Sequence, residues 1–418
     1  MKIAVIGAGV IGVTTAYELA ADGHQVSLFE RRGAAAEEGS FANAGIVAPG
    51  YVTPWAAPGM PRKVLAQMFS RHAAMRLGPG LGADEMQWLW RFWRACKLDT
   101  YLAHRAHLQR LAFYSRERLH ELTASLKLEY DRSEGYLVLQ RSAKEAKLMA
   151  PGLQMLRDAG VTFKEIGMLE ARKLEPALNP DTEFAGAVHL PQDEAANCRQ
   201  FVLLLKNEAQ RLGAKLHFNT EVSHIAGAGA GSGVSLKLAG ESNALAFDAV
   251  VLCTGATSPV LLKSLGLKLS MLPVYGYSVS APIREPLNAP RGAVMDERYK
   301  VAISRLGNRV RVAGGAEIGG SPDKHRAAAV QTLYKVLHDW FPGAAQLSSG
   351  VQEWKGARPM LPDGPPMVGS SGVPGVWLNL GHGSSGWTLA CGSARASADM
   401  LAGRKPALDM AGFAYRTG

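Results

Sequence analysis

The chain has 418 residues, 47% of them apolar, which leaves room for about two domains with real cores and excludes a disordered polymer. Its four cysteines, Cys96, Cys198, Cys253 and Cys391, are widely spaced with no His/Cys cluster beside them, which excludes a disulfide framework or structural zinc and points to reduced thiols in a cytoplasmic setting. The net charge of +10 is unevenly placed, since nine basic residues face only three acidic ones between Met60 and Arg110.

The first predicted elements form a βαβ unit. Lys2 to Ile6 reads as a buried strand, Gly12 to Ala21 as a helix and Gln25 to Glu30 as a second strand, with Asp22-Gly23 as the turn. The apolar start resembles a secretory segment only superficially, because just Lys2 precedes it and its glycines follow a nucleotide-binding pattern. Gly7-Ala8-Gly9-Val10-Ile11-Gly12 sits between strand and helix, the context a G-x-G-x-x-G turn needs. Gly7 permits the tight turn, Gly9 lets the backbone approach a pyrophosphate, and Gly12 lets helix and strand pack closely. Glu30, at the end of the second strand, is placed to accept hydrogen bonds from ribose hydroxyls. These parts together predict dinucleotide binding.

The stretch from Pro54 to Leu126 is mainly helical in pattern. Within it, Met86 to Arg94 (Met-Gln-Trp-Leu-Trp-Arg-Phe-Trp-Arg) interleaves aromatics and arginines. That pattern fits either a core-packing helix with solvated arginines or a helix lying at a lipid headgroup layer. No nucleic-acid-binding signature accompanies the charge, and no stretch reaches the roughly 18 apolar residues of a membrane span.

Strands are predicted at Tyr136 to Gln140 and Ala187 to Leu190, then a helix from Phe201 to Leu212 and strands at Lys215 to Phe218 and Glu221 to Ile225. This is a strand–helix–strand order like the first unit. Gly227 to Gly233 reads as a flexible hairpin-like connection. Asp248 to Cys253 is a short apolar strand entering Thr254-Gly255. Antiparallel strands follow at Pro273 to Ala281 and Val301 to Val312, the second broken by the turn Leu306-Gly307-Asn308. A helix from Arg326 to Trp340 ends before Pro342. The last unit is a strand at Val376 to Leu380, a glycine loop, and a helix from about Thr388 to Leu401.

Two of these turns favour flavin over nicotinamide. Thr254 and Gly255 end a second strand-to-glycine turn suited to running beneath the same dinucleotide. Gly381-His382-Gly383-Ser384-Ser385-Gly386-Trp387-Thr388 presents backbone N–H groups at the start of the final helix. Reduced flavin gathers negative charge that a helix N-terminus stabilises, whereas a nicotinamide gains none on reduction.

A wider set of motifs resembles one family. Ser40-Phe41-Ala42-Asn43-Ala44-Gly45 leads into Ala48-Pro49-Gly50-Tyr51 and Pro54-Trp55-Ala56-Ala57-Pro58-Gly59; Gly276-Tyr277-Ser278, Gly356-Ala357-Arg358-Pro359-Met360 with Pro362-Asp363-Gly364, and the Gly381 to Thr388 loop follow in order. Over nearly its whole length the chain resembles the D-amino acid oxidase superfamily, and closely the bacterial D-amino acid dehydrogenases of the small-subunit type. The resemblance implies noncovalent FAD, with Arg31 and Arg32 after Glu30, the loop residues Ser40, Asn43, Ala44 and Gly45, and Val222 joining the turns above as cofactor contacts. It implies that Arg358 clamps the substrate carboxylate, a role that suits a bidentate guanidinium. Tyr275 and Tyr277 are expected at the substrate face, to donate to the carboxylate or wall the pocket, with Tyr51 as a further candidate. Tyr275 departs from the residue this family commonly carries there, which keeps that side of the pocket open.

The fold class expected is α/β: a Rossmann-like FAD-binding domain of residues 1–52, 190–268 and 345–418, and an α+β substrate domain with an antiparallel sheet, 53–189 and 269–344. Both are discontinuous. The implied activity is oxidative deamination of D-amino acids to 2-oxo acids and ammonium, with electrons passed to a membrane quinone or another carrier. Two alternatives stand beside it: the same fold acting as a dehydrogenase or oxidase on secondary amines such as D-proline, cis-4-hydroxy-D-proline, sarcosine or glycine, and a flavin electron-relay subunit of a larger complex. The expected location is the cytoplasm, with peripheral contact at the inner face of the cell membrane left open by the aromatic segment. Neither a metal nor a nucleic-acid partner is expected.

Overall fold

The computed structural model describes residues 1–67, 70, 72–78, 81–227 and 233–417. Five strands, Lys2–Ile6, Gln25–Phe29, Lys215–His217, Ala249–Leu252 and Val376–Leu380, lie parallel, and Met367–Ser370 adds an antiparallel edge beside Val376–Leu380. The central strands are buried on both faces, as their unbroken apolar runs require. On one face pack the helices Val10–Ala21, Cys198–Arg211 and Gly386–Leu401. On the other lies a three-stranded antiparallel sheet built from Val222–Gly227, Val234–Leu238 and Ala244–Phe247.

The second part is a ten-stranded, largely antiparallel sheet, in which Leu272–Pro282, Arg309–Ile318 and Val301–Leu306 lie side by side. The helix Ala327–Trp340 covers one face through Leu333, Val336 and Trp340. Near one edge of the other face, the helix Ala83–Ala95 packs Trp88 and Phe92 against Val274 and Ile318. The fold is therefore α/β, a Rossmann-like part joined to an α+β part, each assembled from separated stretches of chain.

Several local expectations change. The stretch 54–126 contains a three-residue strand, Met75–Leu77, paired in parallel with Ala316–Ile318, too short for any alternation to announce it. The strands around Cys198–Arg211 do not repeat the first unit. Gly186–Ala196 belongs to the large sheet, Lys215–His217 to the parallel sheet and Val222–Gly227 to the small one. The expected domain boundary at residue 190 falls inside the large-sheet strand Gly186–Ala196, and Gln352–Met360, within the expected 345–418 stretch of the FAD-binding domain, pairs along its length with Leu272–Pro282 of the large sheet. Residues 228–232 of the expected Gly227 to Gly233 connection lie outside the described residues.

The aromatic helix packs into the core along one face and leaves the other exposed. Trp88 and Phe92 are buried, each contributing about 2–3 kcal/mol of hydrophobic stabilisation. Trp90, Trp93 and Met86, on the other face, are more than half exposed. Helical periodicity explains the split, since Trp88 and Phe92 are four residues apart and Trp90 and Trp93 three.

Candidate cofactor and active site

Four parallel strands end side by side, and their following turns form one ledge. Ile6 is in register with Leu252 and Phe29, and Leu252 with Leu378, so Gly7, Cys253, Glu30 and the Gly381 turn emerge together. Gly7 has φ +101°, and a Cβ there would stand 2.6 Å from the Cys253 carbonyl oxygen. At Gly12 a Cβ would stand 1.7 Å from the Gly7 carbonyl oxygen. No methyl group fits at either position, so the turn is as tight as glycine allows. Gly9 begins the helix without a side chain to cap it, and Ser40 Oγ accepts the Val10 N–H at 2.9 Å. The remaining first-turn N–H groups can face an anion. Glu30 accepts the Ala8 N–H at 2.7 Å and the Arg32 N–H at 2.8 Å through its two oxygens, and each oxygen keeps a further lone pair for a ribose hydroxyl.

The loop from Ser40 to Gly45 is held from behind. Arg311 donates to the Asn43 carbonyl at 3.1 Å, Ser304 Oγ donates to the Ala44 carbonyl at 2.9 Å, and Asn43 Oδ1 accepts the Gly45 N–H at 3.0 Å. Thr388 Oγ accepts the Ala48 N–H at 3.3 Å and ties the last helix to the same segment. Thr254 Oγ lies 2.8 Å from Ser258 Oγ, and Gly255 adopts φ +54°.

His382 is buried and donates from Nε2 to Ser393 Oγ at 3.0 Å, because the Ser393 hydroxyl proton is directed to the Ala390 carbonyl. Burial pushes its pKa down to about 3, so the imidazole is neutral and its Nδ1 carries a bare lone pair with no partner among the described residues. Gly383 and Gly381 both have positive φ and lie against Met360 and Leu361.

One cavity of about 2090 Å³ runs along this ledge and over the large sheet. It exceeds the roughly 300–1,000 Å³ usual for a small-ligand pocket, leaving room for both a dinucleotide and a substrate. It is lined by Gly7, Gly9, Val10, Ile11, Glu30, Arg31, Arg32, Ser40, Asn43, Ala44, Gly45, Val222, Thr254, Gly255, Gly381, His382, Gly383, Ser384, Ser385, Gly386 and Thr388. Tyr51, Tyr275, Tyr277 and Arg358 line it too, whereas Gly12 packs behind it against the first strand's end. The glycine cradle, the uncapped helix and the acidic strand end fit FAD.

Arg358 lies deep in the protein yet keeps part of its surface open to the cavity. Its side chain lies flat over Gly276, where a Cβ would meet guanidinium atoms at 2.4–2.6 Å. It donates to the Gly315 carbonyl at 2.8 Å and faces the Trp55 ring at 5.7 Å. Among the described residues no carboxylate pairs with it, and burial lowers its pKa to about 10. Beside it the Trp354 ring covers Gly356, the register partner of Gly276. Two glycines thus floor a guanidinium and an indole. Trp354 was not foreseen from sequence, although Trp-x-Gly-x-Arg on one strand places its three side-chain positions on one face.

The tyrosines do not share that face. Arg358 and Gly356 pair with Val274 and Gly276, whereas Tyr275 and Tyr277 pair with Ala357 and Lys355 and project to the opposite side. On sequence both tyrosines are expected to donate to a substrate carboxylate or to wall the pocket, and both do line the cavity. The Tyr277 hydroxyl donates to buried Glu317, which also pairs with Lys355 at 2.9 Å and Arg326 at 2.8 Å. Burial and then Glu317 push the Tyr277 pKa up, so the proton stays in that network. Tyr275 lies beneath Lys355, 4.5 Å from ammonium to ring centre. Tyr51 lines the cavity from another segment of chain. Its hydroxyl donates to Glu297 at 2.7 Å and accepts from Lys300 at 2.9 Å.

The chain matches the family described as "FAD dependent oxidoreductase" over residues 2–400. It is 42% identical to the D-amino acid dehydrogenase of Bradyrhizobium diazoefficiens, covering 100% of both chains. A Cereibacter sphaeroides D-amino acid dehydrogenase is also 42% identical, covering 98% of this chain and 94% of that one. Among solved structures, glycine oxidase from Geobacillus kaustophilus superposes with a TM-score of 0.76 at 24% identity, covering 99% of this chain and 98% of the other, a likeness of fold.

Proposed function

The chain belongs to the FAD dependent oxidoreductase family and is an enzyme that oxidises amino acids with FAD; from that premise we propose that it is selective for D-amino acids and passes their electrons to a membrane quinone or similar carrier. The observation that carries the reading is Arg358, a cation without a carboxylate partner among the described residues that faces a cavity shared with the dinucleotide ledge. A substrate carboxylate supplies the missing charge, and the guanidinium can grip it with two parallel hydrogen bonds. When bound, FAD supplies the acceptor for the hydride from Cα. Trp55 and Trp354 flank the grip, exclude water and hold the guanidinium flat, so orientation is built before substrate arrives. The imino acid released hydrolyses to a 2-oxo acid and ammonium. Fast dye reduction with a D-amino acid and little peroxide in air is the expected result; peroxide formed in step with substrate oxidation would make the protein an oxidase.

The proposed carrier fits the exposed face of the aromatic helix. No helix among the described residues is long and apolar enough to cross a membrane. Trp90 and Trp93 stand exposed beside Arg91 and Arg94, with the Arg94 guanidinium 4.7 Å from the Trp90 ring centre, and Leu98, which also lines the cavity, is 58% exposed on the next helix. Aromatic rings and arginines in this arrangement suit an anionic lipid surface. Vesicles containing anionic lipid should pull the protein down at low salt. Changing both Arg91 and Arg94 to Gln should cost about 2 kcal/mol, roughly a thirtyfold fall in partitioning, at about 1 kcal/mol per charge. Equal partitioning of the variant would leave the helix with only its core-packing role.

A further inference from the structure

A second arginine faces the cavity with no counter-charge among the described residues. Arg105, on the helix Leu98–Ser125, is 7% exposed and lines the cavity with Tyr101 and Thr53. Its contacts are long and to neutral groups: the Tyr101 hydroxyl at 3.3 Å, the Gly152 carbonyl at 3.3 Å and the Met155 sulfur at 3.6 Å. Among the described residues its buried Nε has no partner and no carboxylate pairs with the guanidinium. The Tyr101 hydroxyl lies 2.9 Å from Thr53 Oγ, so two hydroxyls stand beside the cation. A desolvated cation held by three weak neutral contacts is costly unless an anion completes it.

We propose that Arg105, with Tyr101 and Thr53, forms a second carboxylate subsite, which takes the side-chain carboxylate of an acidic amino acid whose α-carboxylate is held by Arg358. The proposal rests on the reading that this cavity oxidises amino acids. The two ends are linked through one short segment: Trp55 faces Arg358, and Thr53, two residues earlier and at most about 7 Å of chain away, belongs to the Arg105 cluster. A single guanidinium with two hydroxyls matches one negative charge, which a carboxylate carries and an amide does not. An acid and its amide have nearly the same shape, so charge, together with the amide's N–H donors facing a donor-only guanidinium, distinguishes them at this subsite.

The test compares D-glutamate with D-glutamine and D-aspartate with D-asparagine on the FAD-loaded protein, with D-alanine as the internal reference. Wild type should favour each acid over its amide. Arg105→Met should raise KM for the acids about tenfold or more while kcat changes less, leaving the amides and D-alanine within about twofold, and Arg105→Lys should restore part of the preference. Equal losses on all substrates, or a wild type that treats acid and amide alike, would overturn the proposal. Competition of each acid and amide for the site, read as a flavin absorbance shift, judges the subsite independently of turnover. Failure to oxidise D-alanine counts against the functional reading alone. A free carboxylate such as succinate that slows D-alanine oxidation only when Arg105 is present, with no acid preference among substrates, would assign the cation to an effector and contradict the proposal as stated.

Discussion

Replacing Arg358 with methionine is expected to lower kcat/KM for the preferred amino acid by about 10²–10⁴-fold, since two charge-assisted hydrogen bonds at about 1.5–3 kcal/mol each are removed. Flavin content should not change, because Arg358 touches Gly315 and Trp55 and none of the cradle glycines. Thermal stability should hold or rise, since a poorly compensated buried cation is replaced by an apolar chain of similar length. Arg358→Lys should recover little, as an ammonium cannot reproduce the planar fork over Gly276. Above about pH 10, where Arg358 begins to lose its proton, wild-type KM should climb toward that of the variant. A variant that loses FAD while retaining substrate affinity would show Arg358 to be a cofactor residue.

Gly12→Ala should yield a protein with little or no bound flavin. The added methyl would stand 1.7 Å from the Gly7 carbonyl oxygen, a backbone atom of the turn itself. Overpacking of this kind costs about 1–3 kcal/mol even where side chains can shift, and here the displacement falls on the groups that approach the diphosphate. FAD affinity is expected to fall at least about a hundredfold, which removes the stabilisation that ligand binding gives the folded state. Gly23→Ala is the control. Gly23 has φ +83° with open space around it, so alanine there strains the backbone without touching the ledge. Colourless protein from Gly12→Ala and yellow protein from Gly23→Ala is the expected pair; full flavin occupancy in both would show that the turn does not hold the cofactor.

The cofactor ledge was legible because its signals are local. Gly7, Gly9 and Gly12 are needed by one turn, and the turns after Leu252 and Leu380 each end a short apolar strand. The face that Tyr277 takes is not legible, for the opposite reason. Its direction depends on the register of Leu272–Pro282 against Gln352–Met360, strands some seventy residues apart, and the irregular pairing at Tyr275/Tyr277 is invisible in the sequence. Arg105 looked like one more basic residue on a helix. Its burial is set by the helix Ala143–Asp158, which was not predicted at all, since Pro151 inside it reads as a break. The aromatic helix shows the intermediate case, where spacing sorted buried from exposed rings but only the fold could say which face met the core.

The central claim is that Arg358 and the FAD ledge form one site for D-amino acids, and anaerobic mixing of the purified yellow protein with paired enantiomers tests it most directly. D-alanine or another D-amino acid should bleach the visible flavin band, the L-enantiomer should leave it unchanged, and the bleaching should be lost in Arg358→Met with its FAD still bound. A band that persists with every D-amino acid, or bleaches equally with the L-form, would contradict the account.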